Sequence, residues 1–322
     1  MTGAPRTQIA SAGVSSPDTA GGIRISPSVD QRILAAAMAK LKLIALDCDG
    51  VIWVGESPLP GANELVLWCR KNGIRACGVT NNSSRGRANL GEKAARLGIP
   101  MSADDFYTTN HLATEIAAKR YRGKDVLVLG SGDLLEAVQE GGANAVPVVQ
   151  SLEELRSREL EEYKYDALIV GYDRDLRYAG ICHAAVAIKN GADFISTNSD
   201  FAFPVGGIYL WPGNGAIADM LSRITGVKPE THGKPEPGLL LAAMRGCGAF
   251  PNETLMVGDR VETDIACGKN AGAWTCLVGT GVQMAGGNDP ECGIEPDLFA
   301  PDLPSLLNWL IKVREEESRR KA

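Results

Sequence analysis

The 322-residue sequence predicts an α/β protein built on parallel sheets. Short apolar runs recur along the chain, amphipathic segments of helical period separate them, and polar or Gly/Pro-rich loops follow the runs. In order, residues 43–46 (LIAL) form a short strand, and 61–71 (GANELVLWCRK) a helix closed by Asn72 and Gly73. Residues 74–80 form the next strand, and 87–97 a helix stopped by Gly98. A second alternating block begins near Asp125, with strands at 125–130, 145–149, 167–173 and 193–197 and helices from Asp133 and over 176–189. The closing block holds a helix at 239–244, strands at 254–259 and 273–279, and a terminal helix from Ser305 that ends in charge.

Composition narrows the function. At 44% hydrophobic residues the chain can build a substantial core, and its length suits two domains or one large one. No apolar stretch approaches the roughly 20 residues that a membrane span needs. With 33 Lys and Arg against 39 Asp and Glu, the net charge of −6 argues against nucleic-acid binding. Eight cysteines without a C-x-x-C pair, and three histidines, make a zinc cluster a poor reading. Reduced thiols in apolar segments fit a cytoplasmic protein. The segment 1–32, rich in Ser, Ala, Gly and Pro, reads as a disordered tail, with an organellar transit peptide as the alternative.

Four loops carry chemistry. Asp47 and Asp49 (DCDGVIW) crowd the tip of a strand, where two like charges require compensation. A metal, a catalytic pair or a solvated turn would each provide it. Gly50 at the fourth position and the lack of a Glu at the required distance exclude an EF-hand. VTNNSS at 79–84 offers Thr80 and consecutive backbone N–H groups, a cradle for phosphate oxygens or simply a polar loop with a helix cap at Ser83 or Ser84. Lys234 sits in HGKPEP, where a surface lysine is the default. Asp259 ends a strand in MVGDRVETDI, and Asp264 follows at a position where ordinary helix capping also fits. The Gly130-Ser131-Gly132 sequence lacks the third glycine of a dinucleotide fingerprint and reads as a βα turn.

Asp-x-Asp, Thr, Lys and Gly-Asp-x-x-x-x-Asp, in that order in strand-end loops, resemble the haloacid dehalogenase (HAD) superfamily, and within it the branch with a C2-type cap, subclass IIA. The resemblance implies a Rossmann-like parallel-sheet core over 33–121 and 230–322, with an inserted α/β C2 cap over 122–229. It implies a hydrolase of small phosphorylated metabolites, 2-phosphoglycolate and glycerol 3-phosphate foremost and p-nitrophenyl phosphate as a surrogate. Sugar phosphates and nucleoside monophosphates are the alternative, and a phosphotransferase a further one.

By the same resemblance Asp47 is the nucleophile and Asp49 the general acid and base. Thr80, Asn81 and Lys234 bind phosphate, and Mg²⁺ is held by Asp47, the main-chain carbonyl of Asp49, and Asp259. Asp264 supports the site from behind. Thr197-Asn198-Ser199-Asp200 matches the family's cap loop, which places Asp200 and the following Phe203 over the site; Tyr172 and Arg174, in VGYDR, are expected at the entrance as well, though a surface role fits Arg174 equally well. Relatives that favour pyridoxal phosphate carry histidine where Phe203 falls. His183 is expected to be packed and His232 to be loop filler or a substrate contact. Some relatives form homodimers through the cap. Strand alternation turns Cys48 away from the phosphate.

Overall fold

The computed structural model describes residues 22–83, 85–206, 209–281 and 293–321. Two sheets organise them. The larger has seven strands in the order Arg24–Ile25, Leu298–Ala300, Trp274–Val278, Thr254–Gly258, Leu43–Leu46, Arg75–Thr80, Phe106–Thr108. All neighbours run parallel except the first pair, where Arg24 lies opposite Phe299. From Leu43–Leu46 the chain builds outward on one side through Arg75–Thr80 and Phe106–Thr108. It returns later to build on the other side from Thr254–Gly258. Strand order therefore reverses between Leu43–Leu46 and Thr254–Gly258, the place where α/β sheets open a crevice at their carboxyl ends.

The central strands are buried along their whole length, which explains why they read as unbroken apolar runs and not as alternating ones. One face packs Ile44, Leu46, Leu65, Cys69, Leu306 and Leu310, among others, into one cluster. The other packs Leu43, Ala45, Val79, Leu239 and Met256 into a second. Cys48 is buried in the first cluster, turned away from the loop chemistry as expected.

The smaller sheet, inserted between the Thr80 and Lys234 loops, is parallel in the order Glu230–Thr231, Asp193–Ser196, Ala167–Val170, Asp125–Leu129, Asn144–Pro147. The helix Thr109–Arg120 carries the chain toward it, and an antiparallel hairpin, Ala202–Gly206 with Tyr209–Pro212, projects from it. Tyr209, Leu210 and Trp211 on that hairpin are exposed. The strand Glu230–Thr231 pairs within this sheet, so the chain leaves it two residues later than the expected limit at 229.

Residues 22–32, assigned to the tail on composition, carry the Arg24–Ile25 strand, a buried Ile23, and the start of the helix Gln31–Met38, which Asp30 caps by accepting from the N–H groups of Arg32 and Ile33. The rest of the expected tail lies outside the described residues. Among the described residues no helix is long and apolar enough to cross a membrane.

Candidate active site

The four loops meet at the carboxyl ends of the larger sheet. Asp47 follows Leu43–Leu46 directly, Asp259 follows Thr254–Gly258, and Asp264 lies in the π-helical segment Val261–Ile265. Side-chain oxygens of Asp47, Asp259 and Asp264 lie within 4.8 Å of one another. Lys234 inserts among them with its side chain 3% exposed, its Nζ donating to Asp47 Oδ1 and Asp264 Oδ1, each at 2.6 Å, and to the Val79 carbonyl at 3.0 Å. The default expectation of a surface lysine is thus overturned. The loop carries Lys234 inward because the Asn81 side chain grips its backbone at both ends, accepting from its N–H at 2.8 Å and donating to its carbonyl at 2.9 Å.

The charges interact strongly. Burial pushes the Asp47 carboxyl up and Lys234 offsets part of that rise, while the like charges of Asp264 and Asp259 add to it. Burial alone would lower the Lys234 ammonium, but the two carboxylates outweigh it and hold the amine protonated. Three carboxylates facing one ammonium leave negative charge in excess, and an oxygen-only donor set of this kind suits a hard divalent cation. The cradle is kept open by two glycines. A Cβ at Gly50 (φ +100°) would meet the Asp259 carboxylate at 2.6 Å, and one at Gly281 would overlap the same group.

Asp264 is the most committed of the acids. Its Oδ2 accepts from the backbone N–H groups of Asp259 and Arg260, at 3.2 and 3.1 Å, while Oδ1 takes Lys234. It therefore fixes the others in place. Asp49 is exposed at the mouth and accepts from the Trp53 indole at 3.0 Å. Thr80 is buried, and its hydroxyl accepts from the Asn82 N–H at 3.2 Å, bending the chain into a turn of consecutive N–H groups. The helix cap expected at Ser83 or Ser84 does not form at Ser83. The helix starts at Arg87 with Gly86 at its cap, and Ser83 serves the cap interface; Ser84 lies outside the described residues.

The inserted sheet reaches the same loop. Asp200 accepts from Asn81 Nδ2 at 3.1 Å, and the Asn198 amide donates to the Asn81 carbonyl at 2.8 Å. Burial raises the Asp200 carboxyl, with the Asn81 hydrogen bond opposing. Tyr172 donates its backbone N–H to Ser83 Oγ at 2.9 Å, and its ring meets Phe203 edge to face at 5.2 Å, with Trp211 beyond at 6.3 Å. Arg174, by contrast, is exposed on this surface.

His183 is packed as expected. Its Nδ1 accepts from the Val149 N–H and its Nε2 lies 3.0 Å from the Tyr165 hydroxyl. His232 turns to Glu230, its Nε2 lying 2.9 Å from the Glu230 carboxylate. Sequence reasoning missed Trp53, Gly281 and Thr280, whose hydroxyl donates to the Gly50 carbonyl at 2.7 Å. Only the AWTCLVG strand just before Thr280 and Gly281 hinted at the last two.

A buried lysine between carboxylates at two adjacent strand tips suits the binding and transfer of a phosphoryl group. Residues 44–144 match the haloacid dehalogenase-like hydrolase family and residues 231–306 the HAD-hydrolase-like family, and the chain belongs to this superfamily. It is 36% identical to the 5′-nucleotidase YutF of Bacillus subtilis over 250 residues, 76% of this chain and 90% of that protein. An acid sugar phosphatase of Staphylococcus aureus is 32% identical over 246 residues, 76% of this chain and 89% of the relative. Among solved structures, the glycerol phosphate phosphatase Rv1692 from Mycobacterium tuberculosis in complex with magnesium superposes with a TM-score of 0.72 at 29% identity, covering 84% of this chain and 78% of its own. The chain is a phosphomonoesterase of subclass IIA, a class whose members carry a cap over the core.

Proposed function

We propose that this protein is a Mg²⁺-dependent hydrolase of small phosphorylated metabolites that works through an aspartyl-phosphate on Asp47. The observation that carries the reading is the placement of Lys234 between Asp47 and Asp264, beside Asp259. In the first step a carboxylate oxygen of Asp47 attacks phosphorus, the ester P–O bond breaks, and the proton of the Asp49 carboxyl passes to the leaving oxygen. In the second, the Asp49 carboxylate takes a proton from the attacking water. The P–O bond to Asp47 breaks, releasing inorganic phosphate and restoring both acids. Thr80 and the Asn81 backbone hold phosphoryl oxygens, and Lys234 neutralises charge that grows on them and on Asp47. Asp47, the Asp49 main-chain carbonyl and Asp259 would hold the ion, with Asp264 positioning Asp259 and Lys234. When bound, Mg²⁺ supplies Lewis-acid stabilisation of the transferring group.

2-Phosphoglycolate and glycerol 3-phosphate lead the substrate list, with p-nitrophenyl phosphate as a surrogate. Nucleoside monophosphates and sugar phosphates form the second reading. The names of the 5′-nucleotidase and acid sugar phosphatase relatives favour it, as does the aromatic pair Tyr172 and Phe203 by the cap loop. Pyridoxal phosphate is disfavoured by Phe203 itself. The test is phosphate release over a panel of these esters, with Mg²⁺ and with EDTA. Free phosphate is expected without any added acceptor, only in the presence of the cation. Full turnover by Asp47→Asn would remove the nucleophile assignment, undiminished activity in EDTA would remove the metal, and a strict requirement for an acceptor would make the protein a phosphotransferase.

A further inference from the structure

Six residues after the nucleophile, Trp53 is buried to 1% exposure, yet its indole N–H emerges from the core to donate to Asp49 Oδ1 at 3.0 Å. The geometry is tightly determined. The chain folds back on itself after Asp49, with the Gly50 N–H donating to the Trp53 carbonyl at 2.8 Å and the Trp53 N–H to the Cys48 carbonyl at 3.1 Å. The ring packs against Phe106 at 5.9 Å. The ammonium of buried Lys93 sits 4.3 Å from the ring centroid. A cation held over an indole draws on its electron density and makes its N–H a stronger donor. The ring is therefore fixed from three sides, and its one polar atom is aimed at a carboxylate that is otherwise exposed.

We infer that Trp53 is a positioning residue for proton transfer by Asp49, fixing which of the two carboxyl oxygens carries the proton. The inference rests on the role given to Asp49 above. An indole N–H only donates, so the oxygen it touches must accept. Oδ1 is thereby kept as an acceptor, and the acidic proton of the neutral carboxyl resides on Oδ2. The oxygen left free to turn toward the ester is the one that holds the proton, and after the first step it is the one ready to receive a proton from water. The indole keeps its own hydrogen throughout and exchanges none.

Leaving groups that depart as stable anions need little protonation, whereas poorer ones depend on it. The experiment compares kcat/KM for p-nitrophenyl phosphate and phenyl phosphate, two esters of nearly the same shape, in the wild-type protein, Trp53→Phe and Asp49→Asn at saturating Mg²⁺. The parameter reports the step in which the ester bond breaks, so a common second step does not mask the effect. Trp53→Phe keeps an aromatic ring beside Phe106 and removes the donor together with part of the indole's volume, a packing loss that falls on both esters alike. The variant is expected to lose about tenfold on phenyl phosphate, the scale of one hydrogen bond to a carboxyl that becomes charged as it gives up its proton, while p-nitrophenyl phosphate changes by less than about twofold. Asp49→Asn should show the same bias more strongly. Equal losses on both esters, or no loss on either, would overturn the role of Trp53, since a merely structural defect lowers both together. If Asp49→Asn itself lacks the bias, the assignment of Asp49 fails, and with it the inference. If Asp49→Asn shows the bias and Trp53→Phe does not, only the inference fails.

Discussion

Lys234→Met tests the electrostatics of the site most directly. The substitution keeps the apolar stem and removes an ammonium that reaches Asp47 and Asp264 at 2.6 Å each with 3% exposure. Removing one partner from a buried ion pair costs about 3–5 kcal/mol, because the remaining charges lose their compensation. For a chain of this size roughly 2 °C of midpoint accompanies each kcal/mol, so unfolding in EDTA should fall by about 6–10 °C. A divalent cation would replace the missing charge. At a hundredfold excess over its dissociation constant it adds about 2.7 kcal/mol, so Mg²⁺ should recover a large part of the loss in stability. Activity should not recover, because the proposed mechanism also uses the lysine to neutralise the phosphoryl group, where a missing donor costs on the order of 10²–10³ in turnover. The assay is differential scanning fluorimetry with and without Mg²⁺, paired with phosphate release. A variant whose midpoint matches the wild type in EDTA, or that hydrolyses esters at the wild-type rate, would refute the reasoning.

Gly281→Ala should weaken metal binding without unfolding the protein, because the added methyl overlaps the Asp259 carboxylate and must displace it. The expected result is a Mg²⁺ activation curve shifted to higher concentration by about tenfold, a displacement worth ~1.4 kcal/mol, and an unshifted curve would count against Asp259 as a ligand. His183 gives the pH dependence. Burial lowers its imidazole from 6.5 to about 4, so the folded protein binds fewer protons than the unfolded chain between those values. This contribution to stability is complete above pH 6.5 and is lost as pH falls toward 4. Urea midpoints measured across that window should drop in the wild type and drop less in His183→Asn.

Much of the site was legible because its chemistry is local in sequence. Asp47, Thr80 and Asp259 each stand at the end of an apolar run, so the rule that strand tips gather ligands found them without any three-dimensional information. Lys234 needed the family resemblance, since nothing in HGKPEP says that the chain turns inward; the Asn81 grip that turns it joins residues 153 positions apart. Trp53 was hidden for a different reason. Its ring lies in the core, and only the direction of one N–H makes it part of the site.

The helix Thr109–Arg120 escaped detection because it buries Thr109, Asn110, Leu112, Ala113, Ile116 and Ala117, polar and apolar alike, and so lacks a clean apolar stripe. The strand Arg24–Ile25 is only two residues long and pairs with Leu298–Phe299, a contact that composition cannot foretell.

The loop that ends in Ser83 is shared by two tasks. The inserted sheet fastens to it through Asn198 and Asp200 at Asn81, and through Ser131 and Tyr172 at Ser83, by hydrogen bonds of 2.8, 3.1, 3.0 and 2.9 Å. Neutral bonds of this kind are worth about 0.5–1.5 kcal/mol net each, and one to a carboxylate such as Asp200 about 1.5–3. The backbone that receives these bonds is the one proposed above to hold phosphoryl oxygens. In the proposed mechanism the same few residues hold both the substrate and the inserted sheet, so a substitution at Asn81 disturbs both at once.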